Sequence, residues 1–483
     1  MLISFLFFML VVLGVGLASA LRSRGTNDDY YLASRSVSPA LVGLSAVATN
    51  NSGYMFIGVI GFTYTTGLAA IWLMVGWILG DFLASLVAHR KLREAAERTQ
   101  QLSFAGVLSC WLGPEQRSVR TIAALLTIAF LGAYAGAQIS AGGKALHALF
   151  GWQLHTGAML VAVLVATYCL AGGIRASIWT DAIQSFIMLV SMGLLLITAI
   201  DRLGGVDAAI VRLDSVPNYL NWFPPDLIVP GATGMGLFVL GWLFAGLSVL
   251  GQPHIMIRFM ALEQPSGLSQ ARVWYYSFFL LFYSMATAVG LLSRIYLPEL
   301  GNLDPELALP QMAQMLLSPA LVGLILAGIF AATMSTADSL LLSCSSALTH
   351  DLAPVASRAL WKSKLATLMF TAMALVIAIT GPTSVFTLVI LAWSTLASAF
   401  APLLIVYALK GRPPELLALT MMITGPLVAL TWRYFDLHQH IYEGMPGILA
   451  GLLTFCVGTY LTTAIAHSDP TARPKRLPSK QRA

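Results

Sequence analysis

Residues 326–351 read LAGIFAATMSTADSLLLSCSSALTHD, a stretch apolar enough to cross a bilayer that nonetheless carries Thr333, Ser335, Thr336, Asp338 and Ser339 at its centre. A carboxylate and several hydroxyls at membrane depth are costly unless they face a cavity, a partner or an ion. Ser335, Thr336, Asp338 and Ser339 stand at i, i+1, i+3 and i+4, on adjacent faces of one helical turn. Hard oxygens so arranged suit a small cation and point to transport. Hydroxyls bonding back one turn suffice to explain Ser343, Ser345 and Ser346. They do not explain Asp338, whose burial calls for a cation or a proton.

The rest of the chain repeats the apolar theme. Apolar residues make up 58% of it and charged residues 10%, with a mean hydropathy of +0.79. Since roughly 20 apolar residues span a bilayer core, thirteen membrane-crossing runs are expected: 2–20, 39–66, 69–89, 119–148, 153–172, 178–201, 231–256, 273–297, 320–348, 363–381, 384–409, 416–433 and 446–466. The first ends in GLASA, but its positive charges (Arg22, Arg24) follow the apolar segment instead of preceding it. That order favours a retained helix over a cleaved signal.

Charge sets an expected orientation. With the N-terminus outside, the inside connections hold most of the 27 Lys and Arg residues. Arg90, Lys91, Arg93, Arg98, Arg117 and Arg120 form one group, Arg175 another, and Arg258 with Arg272 a third. Arg358, Lys362 and Lys364 follow, and a basic tail over 467–483 reads as disordered and cytoplasmic. The 296–310 connection carries Glu299, Asp304 and Glu306 and no basic residue. The positive-inside rule thus gives N-terminus out and C-terminus in, and it accounts for the net charge of +6 without nucleic-acid binding. Cys110, Cys169, Cys344 and Cys456 show no metal or redox spacing.

Two more runs depart from plain apolar helix. Thr49-Asn50-Asn51-Ser52-Gly53 interrupts the second, and the seventh is glycine-rich and ends in Gly251-Gln252-Pro253-His254. Irregular backbone at bilayer depth is tolerated where it lines a cavity or is buried in protein. The two runs are five elements apart, as the opening helices of paired five-helix repeats would be, and such paired interruptions mark transporter binding sites. For the seventh run, close helix packing by glycine explains the pattern equally well. Asp181, in WTDAIQ, lies near the start of its helix, where a cap explains it as well as a function. Asp81 is placed at an inner vestibule near Arg90 or Arg93, without a role.

Four motifs together carry a resemblance: AATMSTADSLLLSCSSALTHDL, GQPHIMIRFMA at 251–261, WTDAIQ at 179–184 and DYYLASRSVSPA at 29–40. They resemble the sodium:solute symporter family, and most closely its sodium/proline branch, over about 29–410. The resemblance implies an all-α integral membrane protein of thirteen helices, with an inverted five-plus-five helix repeat (about 39–201 and 231–409) and two broken helices, in one transporter domain over 1–466. It implies a sodium ion held by the carbonyls of Ala48, Asn51 and Ala332 and the hydroxyls of Ser335 and Thr336. The proline branch has an aspartate where this chain has Asn50, so Asp338 becomes the candidate to compensate. A second cation or proton site at Asp181, Ser335, Asp338 and Ser339 follows as a hypothesis.

For the solute, the resemblance implies Asn50, Ser52, Gly53, Tyr134 and Pro253, with Gln138 a turn from Tyr134. The aromatic pair expected on the seventh helix falls on Ala245 and Val249, leaving Trp242 as a substitute one turn away. The expectation is a bacterial inner-membrane symporter that couples Na+ to proline or another zwitterion. A sugar, an organic acid or a pantothenate-like solute is the alternative, and a channel or non-transporting sensor the rival class. No nucleophile–base pair supports an enzyme. The lipid bilayer, the ion and the solute are the implied partners, and no oligomeric state follows.

Overall fold

The computed structural model describes residues 1–299, 304–353, 359–381 and 384–468. Arg358 and most of the basic tail, from 469 onward, lie outside these residues. The helices are α1 Leu2–Ser19, α2 Asn27–Leu32, α3 Pro39–Phe56, α4 Gly58–Thr66, α5 Ile71–Thr99, α6 Phe104–Cys110, α7 Arg117–Phe150, α8 Leu154–Leu203 and α9 Val206–Asp214. After these come α10 Ala232–Leu247, α11 Pro253–Met260, α12 Leu268–Tyr296, α13 Ala308–Leu316, α14 Pro319–Ser346, α15 Leu360–Thr380, α16 Val385–Ala408, α17 Glu415–Tyr434 and α18 Gly444–Ser468. Among the described residues, extended structure amounts to an isolated parallel bridge between Val37 and Leu262.

Eleven described helical stretches are long and apolar enough to cross a membrane. The sequence-based tally differs for two reasons. The 39–66 run is broken into α3 and α4, and the runs 153–172 and 178–201 merge into α8. A helix of 50 residues would be about 75 Å long, more than twice a bilayer core. Gly173 breaks it, at φ 56 and ψ −140. A Cβ there would come within 2.4 Å of the Tyr30 carbonyl, so both the dihedral and the space require glycine.

Both predicted interruptions are present. In α3, Ser52 sits at φ 23 and ψ 178, a strained conformation of order 1–3 kcal/mol for a residue with a side chain. The seventh run leaves regular helix over Ser248–Gly251 and restarts as α11 with Pro253 in its first turn, where proline's missing N–H costs nothing. The polar helix α14 lies at the heart of the molecule, against α8, α7 and α3. It and α16 are the most enclosed of the spans, and α1 and α18 the least.

Several sequence readings are corrected. Arg258 belongs to no connection: it lies in α11 and is fully buried. Asp181 is neither cap nor solvated face but buried within α8. Asp81 faces no vestibule and is enclosed against α3 and α12. The three late serines of α14 do not bond back along it. Ser345 donates to the Ser363 carbonyl (2.9 Å), Ser346 to that of Leu102 (3.5 Å), and Ser343 Oγ is unpartnered. Here carbonyls of other segments, one in the first turn of α15 and one in the connection after α5, take the place of the local turn.

Candidate functional site

The break at Ser52 and the polar turn of α14 meet. Thr336 donates its hydroxyl to the Thr49 carbonyl (2.9 Å), and Thr49 Oγ1 lies 3.4 Å from Ser339 Oγ. One turn further on, a Cβ at Gly53 would strike Thr333, so glycine permits the close approach of α3 to α14. Ser335 Oγ is buried beside the Asp181 carboxylate without a hydrogen bond of normal geometry. Asp181 Oδ1 and both polar atoms of the Asn51 side chain also lack partners. Buried polar atoms are ordinarily satisfied, so oxygens left open next to strained backbone form a place suited to a hard monovalent cation. Ala48 and Ala332, whose carbonyls the resemblance enlists, are fully buried in the same two helices.

Beside this turn lies a buried ionic cluster. Arg258 extends from α11 and donates through Nε to Ser45 Oγ (2.9 Å), through Nη1 to the His254 carbonyl (2.7 Å), and through Nη2 to Ser177 Oγ (2.8 Å) and to Ser339 Oγ. The same Nη2 stands 3.3 Å from Asp181 Oδ2 and 3.8 Å from Asp338 Oδ1. Ser45 donates to Asp181 (2.5 Å), and Tyr168, Ser177 and Ser339 donate to Asp338 (2.9, 2.7 and 2.7 Å). Asp181, Asp338 and Ser339, grouped from sequence as a second cation site, are therefore brought together around a guanidinium. A rigid fork of donors suits two carboxylates better than a point charge does, and pairing is what makes burial of the acids tolerable.

The proposed solute residues divide into two sets. Ser52 Oγ accepts from Tyr134 OH (3.3 Å), and the Gly53 N–H donates to Gln138 Oε1 (2.8 Å), leaving Gln138 Nε2 buried and free. Next to them, the His254 ring meets Tyr134 edge-on at 5.6 Å, and both its nitrogens are buried without partners. Pro253 precedes it in the chain. Asn50 and Trp242 are elsewhere. Asn50 turns to Asp81 and Tyr275. Trp242 lines a cavity of about 260 Å³ with Phe62, Phe386, Ile390 and Tyr442.

The small residues Ala245 and Val249 are covered from α16. Trp393, fully buried, donates its indole N–H to the Ala245 carbonyl (3.0 Å), and its ring lies 5.1 Å from Trp77 and 6.3 Å from His254. An aromatic ring from another helix thus lies over the small residues of the seventh run. Sequence reasoning missed Trp393, His254 and Arg258. The signal for the last was available, since an arginine inside the apolar IMIRFMA segment is itself an intramembrane charge.

A wider cavity of about 520 Å³ opens between α4, α7 and the start of α16. There Lys144 pairs with Glu306 (2.7 Å) and Asp304 (2.8 Å). Glu306 also accepts from the Val385 and Phe386 N–H groups (3.2 and 2.9 Å). An anion at these unsatisfied first-turn donors stabilises a helix N-terminus. Far from it, Asp29 of α2 is buried against Arg175, Ser34 and the Arg24 N–H. Burial opposes its ionisation, but the Arg175 hydrogen bond and the other donors hold its carboxyl below the usual range.

Residues 30–425 match the model of the sodium:solute symporter family. The high-affinity proline transporter of Bacillus subtilis is 30% identical over 448 residues, 90% of this chain and 93% of that one. The sodium/proline symporter 2 of Staphylococcus saprophyticus is 31% identical, covering 94% and 91%, and the sodium/proline symporter of Escherichia coli is 29% identical, covering 99% and 95%. Among solved structures, a substrate-bound, outward-open Na+-coupled sialic acid symporter superposes with a TM-score of 0.78 at 19% identity over 95% of this chain and 97% of its own. A nucleobase-cation-symport-1 family transporter gives 0.61 at 15% identity, covering 91% and 95%.

Proposed function

The chain belongs to the sodium:solute symporter family, and from that membership we propose that it imports a small zwitterionic solute, proline or a related amino acid, with sodium. It is a multi-pass membrane transporter, not an enzyme, and sodium is its coupling ion. The curated relatives favour proline, whereas the structural neighbour carries sialic acid. The rearranged aromatic surface around Trp393 supports a solute close to proline in charge but not identical in shape. Counting α3 with α4 as one pass and dividing α8 at Gly173 gives thirteen passes. That odd count puts the termini on opposite sides, the charge pattern puts the N-terminus outside, and two inverted five-helix repeats meet at the broken helices.

One observation carries the reading: the Ser335 hydroxyl, buried beside Asp181 without a hydrogen bond of normal geometry, in the same turn of α14 whose Thr336 bonds the Thr49 carbonyl of the broken α3. Sodium held there by Ala48, Asn51, Ala332, Ser335 and Thr336 ties α3 to α14, stabilises one orientation of the two repeats and completes the solute group at Ser52, Gly53, Tyr134 and Gln138. Coupling follows because the ion binds the two orientations with different affinity. At Asp181 and Asp338, Arg258 supplies positive charge in the present arrangement, and a second ion enters when Arg258 withdraws. An Asp338→Asn protein with an unchanged Hill coefficient for sodium removes that second ion from the account.

The test is sodium titration of uptake. Ser335→Ala or Thr336→Ala should raise the half-saturating sodium concentration about tenfold, the equivalent of about 1.4 kcal/mol for one lost ligand. The solute requirement at saturating sodium should change little. Equal, small effects on both would count against the site.

A further inference from the structure

Asp81 of α5 is fully enclosed, and every group bonded to its carboxylate is neutral. Asn50 Nδ2 (3.0 Å) and Tyr275 OH (2.7 Å) donate to Oδ2, and Tyr276 OH (2.7 Å) donates to Oδ1. The charged and titratable groups on the packed elements are directed elsewhere. Arg272 of α12 donates to the Ser85 carbonyl (2.6 Å), His89 of α5 stacks on Phe259, and Arg258 of α11 serves Asp181 and Asp338. From α10, the backbone of Gly246 abuts Asp81. An ionised carboxylate enclosed without a cation is costly, and neutral hydrogen bonds do not replace the missing countercharge.

A second, independent feature points to what relieves that cost. Asn50 Oδ1 is buried and unpartnered, on the same amide whose nitrogen touches Asp81. Turning an asparagine amide over exchanges a donor for an acceptor at one place. With Nδ2 toward Asp81 the pair suits a carboxylate. With Oδ1 toward it, the pair suits a carboxylic acid whose O–H needs an acceptor. Hydroxyls of Tyr275 and Tyr276 can rotate to serve either form.

We infer that Asp81 and Asn50 form a proton-binding site. A proton from water adds to Asp81 Oδ2, the new O–H donates to Asn50 Oδ1, and the negative charge is lost as the amide turns. Asn50 stands two residues ahead of the break at Ser52, so protonation changes the hydrogen bonding of the broken helix. Its consequence for uptake rests on the symporter reading; the site itself does not.

Infrared difference spectroscopy of the full-length protein in liposomes, titrated with pH, tests the site. A carboxylic-acid C=O band should appear as pH falls and be absent from Asp81→Asn. Tyr276→Phe removes a donor to the ionised form, so the band's midpoint should move to higher pH. On the same preparations, sodium-driven uptake by wild type should change about fivefold between about pH 5.5 and about pH 8.5. Uptake by Asp81→Asn, whose amide donates to Asn50 as the acid does, should be flat. A band that survives in Asp81→Asn, or an unmoved midpoint in Tyr276→Phe, overturns the proposal, and the second arm decides even if Asp81→Asn fails to fold. Sodium-driven uptake that is flat with pH in wild type also overturns it while leaving the symporter reading intact. Absence of any sodium-driven uptake defeats the symporter reading and leaves the infrared titration to decide the proton site.

Discussion

Arg258 links three parts of the chain that are distant in sequence. It rises from α11 to two carboxylates, one on α8 and one on α14, with Ser45 of α3 bridging to the first. Removing its charge leaves Asp181 and Asp338 facing each other in an enclosed, uncompensated site. Arg258→Gln should therefore cost about 3–5 kcal/mol of stability, the range for breaking a buried pair from one side. The double change Arg258→Gln with Asp338→Asn should recover part of that loss, which denaturation of the purified proteins would measure. A double variant no more stable than the single one would show that the two side chains do not couple. Asp338 was legible in the sequence because a carboxylate inside an apolar helix demands a partner. Its partner was not, since nothing in one chain says which distant segment folds back. Arg258 was instead counted with a connection, because an arginine at the end of an apolar run ordinarily marks the water interface.

Among the elements, α3 and α14 carry the ion reading, while α5 and α10 show how closely the helices must pack. A Cβ at Gly80 would fall 2.0 Å from the Leu243 carbonyl, and one at Gly246 would fall 2.2 Å from that of Trp77. Two glycines thus bring the α5 and α10 backbones into contact. Gly246→Val should lower the melting temperature and cost at least about 1–3 kcal/mol by overpacking, while Gly236→Ala, where a Cβ meets nothing, should leave it unchanged. The interruptions in α3 and after α10 could be read from residue type: asparagine, glycine and proline at bilayer depth leave a regular helix few options. The break at Gly173 could not. Runs 153–172 and 178–201 looked separate, yet helical geometry continues on both sides of one glycine whose conformation is set by contact with Tyr30. Nor could the sequence show that Trp393 of α16 would cover Ala245, because that is a matter of which helix lies opposite.

Across the whole molecule, ion pairs gather at the ends of the helices and a few enclosed charges lie between. Lys144 with Glu306 fastens α7 to the start of α16, and Arg175 with Asp29 fastens α8 to α2. Because Asp29 is held below the ordinary carboxyl range in the folded protein, its stabilising contribution is present above that range and is lost as pH falls through its folded value. Acid unfolding of Asp29→Asn should consequently begin from a lower stability at neutral pH and be less steep than that of wild type. Matching unfolding curves would place the carboxylate outside the stabilising network. Multi-pass helical architecture and the family could both be read from composition and four motifs. The solute is written in side chains from several helices, and their mutual placement is a product of packing.

The account turns on sodium-driven movement of a solute, and proteoliposome uptake measures this directly. Purified protein should be given labelled proline, other amino acids, sugars and organic acids, with and without an inward sodium gradient. The account predicts that proline or another zwitterion accumulates above its outside concentration only while the gradient lasts, and that a sodium ionophore abolishes the accumulation. Flux that merely equilibrates, indifferent to sodium, would contradict it.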